Sequence, residues 1–157
     1  MHMLLYTPEV IRLYKEGIFF DARTLELKYQ MPVKRIEKFF DALENGKIFA
    51  TRCNICRELY FPPQMDCPVC RNNDMSWEEI SGNAKLETYT IIETTPTSFQ
   101  KYGRYVIAIG LLESGVRVLS WLRIDDLTRI KIGMNIILKT EKNDDGGYTY
   151  IFEAPEL

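Results

Sequence analysis

Histidine is almost missing from this chain; the only one is His2. That excludes several chemistries at once. A Ser-His-Asp triad, a Cys-His pair and a histidine-ligated catalytic metal each need an imidazole inside the fold. An excess of one charge is missing too: 20 Lys and Arg stand against 22 Asp and Glu, for a formal net charge of −2. A nucleic-acid binder normally carries a basic excess, so the balance argues against a polyanion as partner. No apolar run approaches the ~18 residues of a membrane helix. The N-terminus lacks the basic-then-apolar order of a signal peptide. The expectation is a cytoplasmic protein with no membrane contact. Neither an internal repeat nor a low-complexity tract is present.

Cysteine is scarce as well, but its placement is concentrated. All four lie in Cys53-x-x-Cys56 and Cys67-x-x-Cys70, with 10 residues between the pairs. Two short turns that each supply two thiolates are what a tetrahedral zinc ion needs. Two disulfides would require an oxidising compartment. A redox C-x-x-C pair needs only two cysteines. Iron uses the same four ligands, so the spacing reads a metal more clearly than it reads which metal. Such a centre is coordinatively closed, and its contribution is folding free energy rather than reactivity. With the cysteines committed, no thiolate nucleophile is left. No paired constellation of Asp, Glu, Lys or Tyr stands out in its place.

At 157 residues, 46% hydrophobic and 27% charged, the chain can hold one real core with accessory pieces. Residues 4–16 read as a short helix, capped by Thr7 with Pro8 in its first turn. Ile18 to Met31 has no clear period; its aromatics suit packing within the chain or an interface. A clearer helix starts at Pro32, with Val33, Ile36, Phe40 and Leu43 on one side and Asn45-Gly46 as its stop. Lys47 to Thr51 leads as a strand into the first cysteine turn. Leu59-Tyr60-Phe61 is a brief strand ended by Pro62-Pro63. Phe61 and Trp77 are expected beside the sulfurs as an apolar shield, and the Asn72–Asp74 turn cluster closes the module.

Beyond Asn83 the pattern turns to strands: 85–93, 105–112, 116–122, 134–140 and 148–152. A tight turn at Glu113-Ser114-Gly115 and a hairpin turn over 143–147 join two pairs of them. Asp125 to Ile130 is short enough for a turn or a single helical turn. Five short strands with one helical interruption fit a small closed barrel of OB type, whose closure hides sticky edges. The expected fold is therefore mainly β with N-terminal helices: a four-cysteine rubredoxin-like zinc ribbon followed by a five-stranded OB-fold barrel. The expected boundaries are a helical arm at 1–46, the ribbon at 47–80 and the barrel at 81–157.

OB barrels often bind ligands on an aromatic-studded face. Tyr89, Tyr105, Trp121, Tyr148 and Tyr150 are the aromatic candidates, against the plainer account that they form barrel core and strand pairs. Lys101, Arg104, Arg117, Arg123, Arg129, Lys131 and Lys139 are scattered in sequence but can meet around the long loop 94–104. A positive pocket there suits the phosphates of a nucleotide-bearing cofactor as well as a nucleic acid. Lys101, Arg104, Tyr105 and Trp121 are the candidate cofactor-binding residues.

The order of pieces resembles the zinc-ribbon/OB-fold family described as acyl-CoA-associated. The resemblance covers about Val33 to Pro155. It is carried by Gly46-Lys47, Arg52-Cys53-x-x-Cys56, Phe61-Pro62-Pro63, Cys67-Pro68-x-Cys70, Tyr105-Val106-Ile107-Ala108 and Ile132-Gly133-Met134, with Trp77-Glu78 and Ser81-Gly82 between. It implies structural zinc at Cys53, Cys56, Cys67 and Cys70. It further implies a non-catalytic partner of a thiolase-superfamily enzyme, in archaeal pathways bridging acetoacetyl-CoA thiolase and hydroxymethylglutaryl-CoA synthase. In steroid degradation, similar domains pair with hydratases or aldolases. CoA or acyl-CoA would then lie in a shared pocket for the pantetheine arm, with the helix from Pro32 to Asn45 and the ribbon docked on the partner. A homodimer through the arm is the other assembly this layout allows. One departure is visible. Where the family has glycine after each cysteine turn, this chain has Arg57-Glu58 and Arg71-Asn72, which implies strained or differently turned backbone. The alternative readings are a nucleic-acid-binding ribbon/OB protein and, behind it, a stand-alone acyl-CoA enzyme.

Overall fold

The computed structural model describes residues 30–144 and 146–155. The expected first helix, residues 4–16, and the segment up to Tyr29 lie outside these. Val33–Leu157 is one compact unit. It opens with a 3-10 turn, Lys34–Ile36, that runs into helix α1, Glu37–Glu44. Phe39, Ala42 and Leu43 form the buried side of α1, while Phe40 remains 41% exposed. Gly46 stops the run with a φ of 72°, and Lys47 N–H closes the end on Ala42 O.

The ribbon is a three-stranded antiparallel sheet in the order β2-β1-β3, from β1 (Phe49–Cys53), β2 (Leu59–Tyr60) and β3 (Met75–Glu79). Strand β3 follows the turn cluster that the sequence suggested as the end of the module. Thr51 is fully buried on β1, so its hydroxyl must find partners. It donates to Gln64 O at 2.8 Å and accepts from Gln64 N–H at 2.9 Å, which pins the loop after Pro63 to the sheet.

Five further strands follow: β4 (Asn83–Ile92), β5 (Tyr105–Leu112), β6 (Arg117–Arg123), β7 (Asn135–Lys142) and β8 (Tyr148–Glu153). Strict alternation on β5 points Val106, Ala108, Gly110 and Leu112 inward, where they meet Leu86, Val118, Leu122, Ile136, Leu138 and Phe152. Gly110 is required by that core: a Cβ there would lie 2.5 Å from the Phe152 ring. The strands follow one another in a ring, β4-β5-β6-β8-β7 and back to β4. The expectation of a small closed five-stranded barrel needs correction in how the strands close. The β4–β5 and β5–β6 ladders have eight and six residue pairs, but β4–β7 has three and the parallel β6–β8 ladder only two. A register shift between Leu86 and Thr88 bends β4. Beyond Lys85 it pairs with β5 alone, while β7 turns to β8. The ring is thus a curled sheet joined at two short seams.

Ribbon and curled sheet share one core. Ile48 just before β1, Ala50 on β1 and Ile80 after β3 belong to the same buried cluster as Leu86 and Phe152. Helix α1 packs on β7 and β8. Phe39 meets Phe61 and Tyr150 edge-on at centroid distances of 5.8 and 6.2 Å.

Candidate metal centre and aromatic face

The two cysteine turns are built alike, by local backbone chemistry. In the first, Cys53 N–H donates to Glu58 O at 2.9 Å and Arg57 N–H donates to Cys53 O at 3.0 Å. In the second, Cys67 N–H reaches Asn72 O at 2.7 Å and Arg71 N–H reaches Cys67 O at 2.8 Å. Both turns need a left-handed residue four after their first cysteine, and both use arginine there: Arg57 at φ 66° and Arg71 at φ 56°. The strain expected where glycine is usual is therefore present.

These turns bring the four Sγ atoms within 4.8 Å of one another, with Cys53–Cys70 and Cys56–Cys67 at 3.4 Å. A tetrahedral zinc site with Zn–S near 2.3 Å needs S···S separations of about 3.8 Å. The cluster fits a metal ion. Cys53 and Cys67 are buried, Cys56 and Cys70 half-buried. Their backbone surroundings favour thiolate at the first cysteine of each turn. The Cys56 and Ile55 N–H groups lower the Cys53 thiol, against the cost of burial. Burial raises Cys67, but the Cys70 N–H and the Tyr60 hydroxyl outweigh it and leave this thiol at about 6. At Cys56 the Glu58 N–H lowers the thiol, but burial and the neighbouring cysteines push it up to about 12. Burial, followed by contact with the other sulfurs, also raises Cys70.

Neither aromatic expected at the sulfurs is placed there. Phe61 stacks edge-on with Tyr150 at 5.0 Å in the helix–sheet junction. Trp77 packs on Phe49 at 6.4 Å, with the Lys38 ammonium over both rings at 4.9 Å from Phe49 and 5.7 Å from Trp77. Tyr60 takes that place, its hydroxyl 3.1 Å from Cys67 Sγ. Adjacent residues of an extended segment point to opposite sides, so Tyr60 and Phe61 cannot both face the metal. That rule could have led to Tyr60.

On the outer side of the curled sheet, Tyr105 and Trp121 stack at 4.6 Å with 17° between planes. Phe99 and Tyr102, from a 3-10 helix at Thr97–Tyr102 inside the long loop, pack on Trp121 at 5.9 and 5.1 Å. Lys101 lies 4.7 Å from the Tyr102 ring centroid and pairs with Asp144 on the β7–β8 turn. So Lys101, Tyr105 and Trp121 share one neighbourhood, and Arg104 stands beside it, paired with Glu93 at 3.5 Å. The other aromatic candidates go elsewhere: Tyr89 and Tyr150 pack against the core, and Tyr148 lies under Lys142. Five of the seven scattered basic residues, Lys101, Arg104, Arg117, Arg123 and Lys139, each hold a carboxylate partner. Their charge is largely neutralised.

Two family models match this chain. The ChsH2 rubredoxin-like zinc ribbon domain covers residues 40–76, and the ChsH2 C-terminal OB-fold domain covers residues 77–140. The chain is 36% identical over 131 residues to a DUF35 domain-containing scaffold protein of Methanocaldococcus jannaschii, covering 79% of this chain and 92% of that protein. It is 29% identical over 101 residues to a probable enoyl-CoA hydratase alpha subunit of Thermomonospora curvata, 64% of this chain but only 31% of that protein. Among solved structures, the Ltp2-ChsH2(DUF35) aldolase superposes with a TM-score of 0.65 at 26% identity, covering 75% of this chain and 92% of that one. With this ribbon, this strand order and this likeness over most of its length, the chain belongs to the ChsH2/DUF35 family of zinc-ribbon and OB-fold proteins.

Proposed function

We propose that this protein is a non-catalytic scaffold subunit. It binds a thiolase-superfamily enzyme, with hydroxymethylglutaryl-CoA synthase as a further partner, and helps form a shared pocket for the pantetheine arm of CoA or acyl-CoA. The observation that carries this reading is the pairing of a sulfur cluster suited to a closed metal site with an outward aromatic face. The first supplies rigidity, and the second supplies a surface that a partner or ligand can cover. The scaffold name of the M. jannaschii relative, which this chain matches over 92% of that protein's length, supports it. In this reading residues 1–46 are the arm toward the partner, 47–80 the ribbon and 81–157 the part that faces the ligand. Zinc is the resident ion, held by Cys53, Cys56, Cys67 and Cys70 in a reducing cytoplasm.

Tyr105 and Trp121 form the flat floor for the CoA moiety, and Lys101 and Arg104 border it. Because both cations hold carboxylate partners, ligand phosphates must compete with Asp144 and Glu93. That favours a pocket completed by the enzyme partner over tight binding by the free subunit.

The test is native mass spectrometry of the protein purified gently from its own cells. A thiolase-like enzyme at fixed stoichiometry is the expected result. Recovery of free protein, or of protein carrying nucleic acid, in repeated low-salt preparations would overturn the scaffold reading. Calorimetric titration of CoA into the recovered complex and into the free subunit then checks the pocket, with tighter binding expected in the complex.

A further inference from the structure

We propose that Tyr60 is a positioning residue of the metal centre, its hydroxyl donating a hydrogen bond to the Cys67 sulfur. This rests on the reading of the four cysteines as metal ligands. The contact is 3.1 Å long, within reach of an O–H···S bond. A metal-bound cysteine is a thiolate with no proton to give, so the phenol is the donor.

The physical need for such a donor is the charge. Four thiolates around a divalent ion leave a net charge of −2 in a partly buried site, and hydrogen bonds to sulfur disperse it. Backbone N–H groups serve Cys53 and Cys67 in the same way, from the residues two and three further on. The side-chain bond breaks that symmetry. Among the described residues, Tyr60 is the one hydroxyl that bonds a ligand sulfur. Its place is fixed by pairing across the sheet, Tyr60 opposite Thr51 and Leu59 opposite Arg52. Thr51 is itself locked by its two bonds to Gln64. The ring therefore stands on a rigid strand rather than on the mobile side of a turn, as a group that orients a ligand must.

Removing the oxygen alone tests this. In full-length Tyr60→Phe protein loaded with Co2+, the sulfur-to-cobalt charge-transfer bands should move to lower energy, because the sulfur becomes more electron-rich. In the Zn2+-loaded form, transfer of zinc to an excess of a competing chelator should quicken about tenfold, the lower end of the effect of removing an outer-shell partner. Cobalt bands and a transfer rate equal to wild type, in a variant that binds one metal per chain, would overturn the proposal. A variant that binds no metal at all would show that the four cysteines need this residue more than proposed here. The wild-type protein then decides. Loaded with 113Cd, it should show a slowly exchanging Tyr60 hydroxyl proton with scalar coupling to the metal, and a fast-exchanging, uncoupled hydroxyl overturns the idea. Failure of the family's metal reading is a different result: wild-type protein that takes up neither Co2+ nor Zn2+.

Discussion

A Cβ on Gly82 would lie 2.1 Å from the Leu138 carbonyl oxygen. That neighbour is backbone, and the same contact holds the Leu138 N–H to Gly82 O bond at 2.7 Å, which continues the short β4–β7 seam. Neither side can step aside. Gly82→Ala is therefore expected to cost about 3 kcal/mol or more, the upper range of overpacking, measured as the fall in midpoint of urea unfolding. A loss under about 1 kcal/mol would mean the seam relaxes freely. Thr51 belongs to the same scale. Its hydroxyl is legible in the sequence as one more threonine on a strand, and only the fold shows that it is wholly buried with two partners. The two arginines at positive φ are the opposite case. The departure from glycine was visible in the sequence at both turns, and the backbone strain there was its direct consequence.

At the scale of elements, Arg52 ties the sheet to the first cysteine turn. From β1 it donates to Glu78 Oε1 on β3 at 2.8 Å and to Arg57 O at 2.7 Å. The hydrogen bond from Arg52 holds the Glu78 carboxyl below the usual carboxylate range, only partly opposed by burial. The sign follows from that depression. Glu78 contributes stability above its unfolded value of about 4.3, and the contribution is lost as pH falls through the lower folded value. The Glu78 side chain is 39% exposed, so solvent screening keeps the effect to about 0.5–1 kcal/mol. Thermal melts of wild-type and Glu78→Gln protein should differ by that amount at pH 7 and converge toward pH 3. A constant gap at all pH values would assign the loss to packing instead. The strands themselves were readable from alternation and turn residues, within a residue or two at most ends. Strand β3 was not. Its sequence, Met75 to Glu79, has no clean alternation and every residue is at least partly exposed, so its pairing with β1 is a tertiary decision.

At the scale of the whole unit, the metal centre and the curled sheet are mechanically one. Ile48, Ala50 and Ile80 flank the cysteine turns yet sit in the core of the five strands. Structural zinc contributes about 10–16 kcal/mol in isolated zinc-finger peptides, against a typical domain stability of about 5–15 kcal/mol. Chelation at pH 7 should thus unfold ribbon and sheet together. Calorimetry is expected to show a single transition at a much lower midpoint in the metal-free form. Two separated transitions, with the second unchanged, would show that the five strands stand alone. The net charge of −2 told against a polyanion partner, and the ion pairs at five of the seven scattered basic residues strengthen that argument at the level of the surface.

The sequence alone determined the two halves of the sulfur cluster, because each C-x-x-C turn is a local structure whose two ligands and backbone donors are a few residues apart. It also determined the presence of the helix before the ribbon, although the sequence started it at Pro32 and the α-helix begins at Glu37, and the five later strands, because side-chain periodicity is set by the backbone repeat. The shared core, the short seams of the ring and the gathering of Phe99 and Tyr102 on Trp121 were decided by tertiary structure. Each joins residues far apart along the chain, through register and packing that no local pattern encodes.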